Sequence, residues 1–316
     1  LMGSEFEKED IISFVQFLDI VKEQEEWDKN NLSKDDANEW DNPYYGFPQM
    51  VRFAFNPNKS SREKMEALKK SGVTFAFSKL FEPESIKKDT KNNGHKKFIN
   101  EAEILDLLQV IDGSKEDENL LGFLDYDKIK EGKMCRHMVM VLPYCASCDA
   151  MEELLKTKKE TFKNLGEYEI INISGVDAGR IYKKPSDIKN KIKECEELNN
   201  KTITLTVNRM LTGSTVEQWD TMLYFKDTSS PQEYDQSIFR LQNQYIRTLS
   251  SKKGFIKENL KPQTLLVDFD PDRLFRMQEQ KSLIYNVNTE ENGNSKLKER
   301  IVEELRISPV IMMNHN

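Results

Sequence analysis

From Met134 onward the chain alternates short apolar runs with longer helical patterns, and this alternation constrains its fold more than any other feature. His137-Met-Val-Met-Val-Leu142 is a nearly unbroken apolar run, the pattern of a strand buried on both faces. Strand-like runs recur at Tyr168–Ile173, Thr202–Val207, Thr221–Phe225 and Thr264–Phe269. Helical spacing falls between them, at Ser147–Lys156, Ser186–Leu198 and Pro231–Leu249, and again from Asp272. Strands that alternate with helices build a parallel sheet, so the expected class is α/β. Ligands of such sheets sit outside the carboxyl ends of the strands. The loops after Leu142, Ile173, Val207 and Phe225 are therefore the segments to inspect.

The stretch before Met134 reads differently. Asp10–Glu26 is an acidic amphipathic helix pattern, with Ile11, Phe14, Val15, Leu18 and Val21 at helical spacing. Asp41-Asn42-Pro43 breaks it, and Met50–Phe55 alternates like a strand. Residues 56–132 mix short helices with polar loops, and Lys87–Lys97 is rich in Lys, Asn and Asp, as in a loop. The first six residues, Leu1-Met-Gly-Ser-Glu-Phe6, read as a cloning remnant, and on that reading the chain is expected to be an excised piece of something longer.

The formal charge of −7 argues against a surface that binds nucleic acid everywhere. Its distribution is uneven: residues 5–41 hold thirteen Asp/Glu against four Lys, which leaves the rest of the chain slightly positive. Arg247, Lys252, Lys253, Lys257 and Lys261 form a locally basic stretch that reads either as a phosphate contact or as a merely solvated helix face. No apolar run approaches the ~20 residues that span a bilayer, and no signal peptide is visible. A cytoplasmic protein without a membrane partner is the expectation.

Two of the candidate loops are unusual. After Val207 comes Asn208-Arg-Met-Leu-Thr-Gly-Ser-Thr-Val-Glu-Gln-Trp-Asp220, and after Phe225 comes a segment containing Gln236-Ser-Ile-Phe-Arg240. The pair resembles motifs V and VI of superfamily 2 (DEAD/DEAH-type) helicases. Met210-Leu-Thr-Gly213 is similar to motif V in the motor subunits of type I and type III restriction enzymes. Gln236-x-x-x-Arg240 matches the first half of motif VI, and His137–Asp149 falls where motif IV belongs. The resemblance covers roughly Met134–Leu249. It departs from the family pattern at Phe239, where a glycine is usual, at Asn243, where a second arginine is usual, and near Thr215, where an acidic residue is usual.

The resemblance implies a RecA-like helicase C-terminal lobe over 134–250, with a connecting or inserted mixed helical region over 7–133 and a strand–helix extension over 251–316. It also implies site roles. An arginine reaching from a second lobe stabilises charge on a transferring phosphoryl group. Arg240, with Gln236 before it, takes the catalytic position, and Arg247, one helical turn further on, is the substitute. Thr212 and Gly213, with Arg247, would face the nucleotide, since glycine lets backbone approach phosphate closely. Ser214, Thr215, Lys252 and Lys253 would face DNA. ATP and Mg²⁺ would be held mainly elsewhere, because the chain has no Gly-x-x-x-x-Gly-Lys-[Ser/Thr] loop and no Asp-Glu box behind a strand in its first half. The implied partners are double-stranded DNA, an ATP-binding N-terminal lobe of the same parent, and methyltransferase or nuclease subunits. The fragment alone is expected to be inactive.

Other readings start from other residues. Cys145-Ala-Ser-Cys148, between a strand and a helix, has the context of a thioredoxin-like dithiol. A non-enzymatic, degenerate RecA-like scaffold is the plainest alternative. A zinc site from Cys135, His137, Cys145 and Cys148 fails if Met138–Leu142 is one strand, which separates the pairs by on the order of 20 Å. Pro271-Asp272 with Glu279 and Lys281 has nuclease-like residue types, but the stretch reads as one helix. Cys195, within a helical pattern, reads as packing.

Overall fold

The computed structural model describes residues 20–33, 37–55, 59–72, 76–85, 96–117, 122–252, 254–270, 272–274, 276–277 and 293–312. Ile11, Phe14, Val15, Leu18, Lys253, Pro271, Glu279 and Lys281 lie outside them. Among the described residues, seven strands form one parallel sheet. They are β1 (Gln49–Ala54), β2 (His137–Val141), β3 (Glu169–Asn172), β4 (Thr202–Thr206), β5 (Thr221–Tyr224), β8 (Gln263–Asp268) and β9 (Val310–Met312). Their order across the sheet is β3-β4-β2-β5-β8-β1-β9. A separate antiparallel hairpin pairs β6 (Ile246–Ser251) with β7 (Gly254–Asn259). The sheet thus takes strands from 7–133, from 134–250 and from 251–316 alike.

The central strands are buried along their whole length, as apolar runs of this kind require. In β4 the alternation of Thr with Ile and Leu divides the labour. Ile203 and Leu205 enter one apolar core, while Thr202, Thr204 and Thr206 satisfy their hydroxyls with His137, Trp219 and the Arg209 carbonyl. Of the acidic helix pattern, residues 20–26 are among those described, and they begin α1, which runs over 20–31. Helices cover both faces of the sheet. The first face carries α2 (Lys59–Lys70), α3 (Ala76–Leu80), α4 (Glu101–Asp112), the short α5 (Asp127–Lys130) and α6 (Cys145–Thr157). Their Met65, Phe77, Leu107, Ile129 and Met151 share one core. After β3 comes the single turn α7 (Ala178–Ile181). The second face carries α8 (Pro185–Glu197) and α9 (Pro231–Ile238), with the loop after β4. Ile188, Ile192, Met210, Trp219, Tyr234 and Leu241 pack there. The chain therefore leaves β2 for one face and leaves β4 and β5 for the other. This doubly wound α/β sheet is the arrangement expected of a RecA-like lobe.

Two local expectations are corrected. The helix expected over Pro231–Leu249 ends at Ile238, continues as a 3₁₀ turn over Phe239–Gln242, and gives way to extended backbone at Asn243. Ile246–Ser251 is then a strand, because Gly254 (φ +121) turns the chain back at a dihedral that L side chains rarely adopt. The basic stretch is accordingly a hairpin with Lys261 beyond its root, and not a helix face.

Candidate functional site

The loop after β4 and the turn after α9 meet on the second face of the sheet. Met210, Leu211, Val216 and Trp219 anchor the loop in the core, while Thr212, Gly213 and Thr215 stand exposed at its tip and Ser214 is half-buried. Gly213 has φ +66, a dihedral that favours glycine, and a Cβ there would have no atom within 4 Å. Arg240 reaches this loop from the 3₁₀ turn. Its Nε donates to the Leu211 carbonyl (2.9 Å) and its Nη1 to the Ser214 carbonyl (3.2 Å). The guanidinium thus closes the 211–214 turn, and burial lowers its pKa. Asn243, in the usual place of a second arginine, donates to the Arg240 carbonyl (2.9 Å). Gln236 is half-buried on α9.

The remaining proposed residues lie apart from this contact. Arg247 is exposed on β6 and grips Glu258 across the hairpin through Nη2 (2.6 Å) and Nε (3.1 Å), so it does not follow Arg240 by a helical turn. Lys252 is exposed at the hairpin turn. Lys261 is no phosphate contact. It is 3% exposed, and its ammonium donates to the carbonyls of Glu217 (2.6 Å) and Trp219 (3.0 Å). Burial pushes its pKa down to about 8, against the opposing pull of Asp220 and Glu217.

A polar network beneath the loops was not anticipated from the sequence. Lys226, just past β5, donates to Asn208 (2.6 Å) at the start of the β4 loop and pairs with Glu233 (2.5 Å) on α9. Thr228 donates to the same glutamate (3.0 Å), and Ser230 caps the helix by accepting from the Glu233 backbone N–H (3.2 Å). Ser230-Pro-Gln-Glu233, a helix-start pattern with Pro at the first position, was the available signal. Arg209 donates to the carbonyls of Ile173 (3.1 Å) and Tyr182, tying the β3 and β4 loops together. Arg273 is fully buried. It donates to the Lys226 carbonyl (2.6 Å), lies 3.5 Å from Asp268, and sits over the rings of Tyr224 (4.8 Å), Tyr234 (5.6 Å) and Phe77 (5.6 Å). Burial raises the pKa of Asp268, which accepts from the Tyr234 hydroxyl (2.7 Å).

The cysteines give the dithiol reading little geometry. Cys145 is exposed at the start of α6, but Cys148 is buried and its thiol is pushed up by that burial, whereas an attacking thiol needs the opposite shift. Cys195, buried on α8, donates to Glu169 (3.2 Å). No group of His, Cys, Asp or Glu among the described residues could hold a metal ion. His137 is bound instead to Glu196 (2.6 Å) and Thr202 (2.9 Å) at the opposite end of the sheet, where Arg136 also donates to Glu196 (2.9 Å). Among the described residues no helix is long and apolar enough to cross a membrane.

The site and fold define a doubly wound α/β lobe whose β4 loop and α9 turn converge. No family model matches the chain. It is 31% identical over 183 residues to a Mycoplasma pneumoniae protein whose name describes the C-terminal part of a type II restriction enzyme and methyltransferase, RM.MpnORF110P. That alignment covers 56% of this chain and 24% of the relative, so the chain spans about a quarter of the relative's length. The C-terminal part of the Fun30 ATPase domain aligns over 95% of this chain and 94% of its own, at 13% identity and a TM-score of 0.29, too distant to carry weight.

Proposed function

We propose that this chain is the second RecA-like lobe of an ATP-driven DNA motor within a restriction–modification protein. It would supply the motif V-like loop Leu211–Thr215 and Arg240 to a nucleotide site completed by another lobe. The observation that carries the reading is the two-point contact of Arg240 with the 211–214 turn, because the two motif-like segments are coupled through one guanidinium. The similarity to a restriction-related protein supports the setting. ATP and Mg²⁺ would be held mainly outside this chain. Its exposed Thr212 and Thr215 hydroxyls and the open space at Gly213 suit the approach of a phosphate group, with Gln236 beside the arginine segment. Ser214, Thr215, Lys252 and Lys253 would form part of the path for DNA, with methyltransferase or nuclease functions elsewhere in the assembly.

The test uses the intact parent protein. Arg240→Ala should abolish ATP turnover while DNA affinity stays within a few-fold of wild type. Arg240→Lys should not restore turnover, since lysine lacks the planar fork that makes both carbonyl contacts. Wild-type turnover in either variant sinks the assignment of Arg240. The same contact supports a second reading, a degenerate scaffold lobe, in which Arg240 serves only to brace its own loop. In that case Arg240→Ala destabilises the loop in a parent that has no DNA-stimulated ATPase to lose.

A further inference from the structure

The β6–β7 hairpin is fixed at its root and bare at its tip. Ile246 packs against Gly46, where an added Cβ would lie 3.0 Å from its side chain. The Tyr45 hydroxyl donates to the Lys257 carbonyl (3.3 Å), the exposed Lys257 ammonium donates to the Trp40 carbonyl (3.3 Å), and the Leu260 N–H donates to the Tyr245 carbonyl (2.9 Å). Beyond that root nearly every residue is exposed, including Leu249 (44%), Phe255 (71%) and Ile256 (41%). An isolated two-stranded ribbon is only marginally stable in water, and large apolar side chains bare on both of its faces, Leu249 with Ile256 on one and Phe255 on the other, make it a candidate interaction surface.

Charge identifies the occupant. Residues 246–259 carry four Lys/Arg and one Glu, in a chain whose net charge is −7. The one acid, Glu258, is taken by Arg247. The register puts Ser250 opposite Phe255 and Thr248 opposite Lys257, so Phe255 and Lys257 share a face, roughly 7 Å apart along the strand. Lys252 stands at the turn above them. An exposed ring flanked by cations and hydroxyls on a two-stranded ribbon has the components of a single-stranded nucleic-acid platform, in which bases stack on the ring and phosphates meet the lysines.

We propose that the β6–β7 hairpin binds single-stranded DNA, with Phe255 stacking on a base and Lys252 and Lys257 meeting the flanking phosphates. The choice of DNA over RNA rests on the restriction-motor reading; the stacking geometry does not. The experiment titrates the full chain against an oligothymidylate of about 12 nucleotides carrying one 2-aminopurine, a length within the span that such platforms cover. Wild type should bind with a change in 2-aminopurine fluorescence that reports stacking. Phe255→Ala should bind roughly 5- to 100-fold more weakly and show no such fluorescence change, and Phe255→Tyr should restore both. Replacing both lysines with alanine should flatten the salt dependence of log K by about 0.7 for each phosphate that is no longer neutralised. Equal affinity of wild type and Phe255→Ala overturns the proposal. So does an absence of binding, or Phe255-dependent binding to phosphatidylserine vesicles in place of the oligonucleotide. The outcome is separable from the motor reading: a parent whose ATP turnover ignores Arg240→Ala defeats that reading and leaves Phe255-dependent binding intact, and the converse result does the reverse.

Discussion

Lys261 offers a quantitative test of how this lobe is held together. It lies beyond the basic hairpin, yet its ammonium is buried against the Glu217 and Trp219 carbonyls, and its pKa falls from 10.5 to about 8. A lowered lysine pKa means that the unfolded chain binds the proton more tightly than the folded one. Stability must then rise with pH between about 8 and 10.5 as the buried amine sheds its charge, and the neutral amine still has two N–H donors for the two carbonyls. The shift corresponds to about 3 kcal/mol, and the site is buried enough that solvent screening does not erode it. Buried thiols and phenols titrate near the same range with the opposite sign, so the informative quantity is a difference between variants. Urea unfolding of wild type and Lys261→Met at pH 7 and pH 10 should show the gap moving in favour of wild type by about 2–3 kcal/mol at the higher pH. DNA affinity at pH 7 should be unchanged in the variant. Parallel stability curves would refute the buried, charged lysine.

Three further outcomes follow from single contacts. Glu196, held down to about 2 by His137 and Arg136, lends stability that is fully present above pH 4.5 and is lost as pH falls toward 2, so Glu196→Gln should flatten acid unfolding in that window. At Gly175 an added Cβ would lie 2.0 Å from Asp149 Oδ1 and 2.5 Å from Asn172 Nδ2, so Gly175→Ala should cost about 1–3 kcal/mol by chemical denaturation. A Cβ at Gly213 meets no atom within 4 Å, but Gly213→Val must adopt φ +66; it should fold with a loss of about 1–2 kcal/mol and weaken the coupling of ATPase to DNA in the parent.

The sheet was legible because burial on both faces writes itself into sequence as short unbroken apolar runs, and β2 and β5 needed no partner information to be found. The hairpin was not, because Tyr245 and Leu249 fall at helical spacing and only Gly254 marks the turn. The approach of the loop after β4 to the α9 turn followed from their shared place after sheet strands, but its form did not. Arg240 binds main-chain carbonyls, and a carbonyl has no residue signature to read. Lys261 looked like a surface cation for the same reason. Arg273 was invisible because Phe77, Tyr224, Tyr234 and Asp268 are gathered around it only by the fold.

Steady-state ATP hydrolysis by the intact parent protein, with and without double-stranded DNA, bears most closely on the motor assignment. If the lobe belongs to a motor, DNA stimulates turnover, and Arg240→Ala removes that turnover without loss of DNA binding. A folded parent that binds DNA but hydrolyses no ATP in its presence would contradict the assignment and leave the lobe a scaffold.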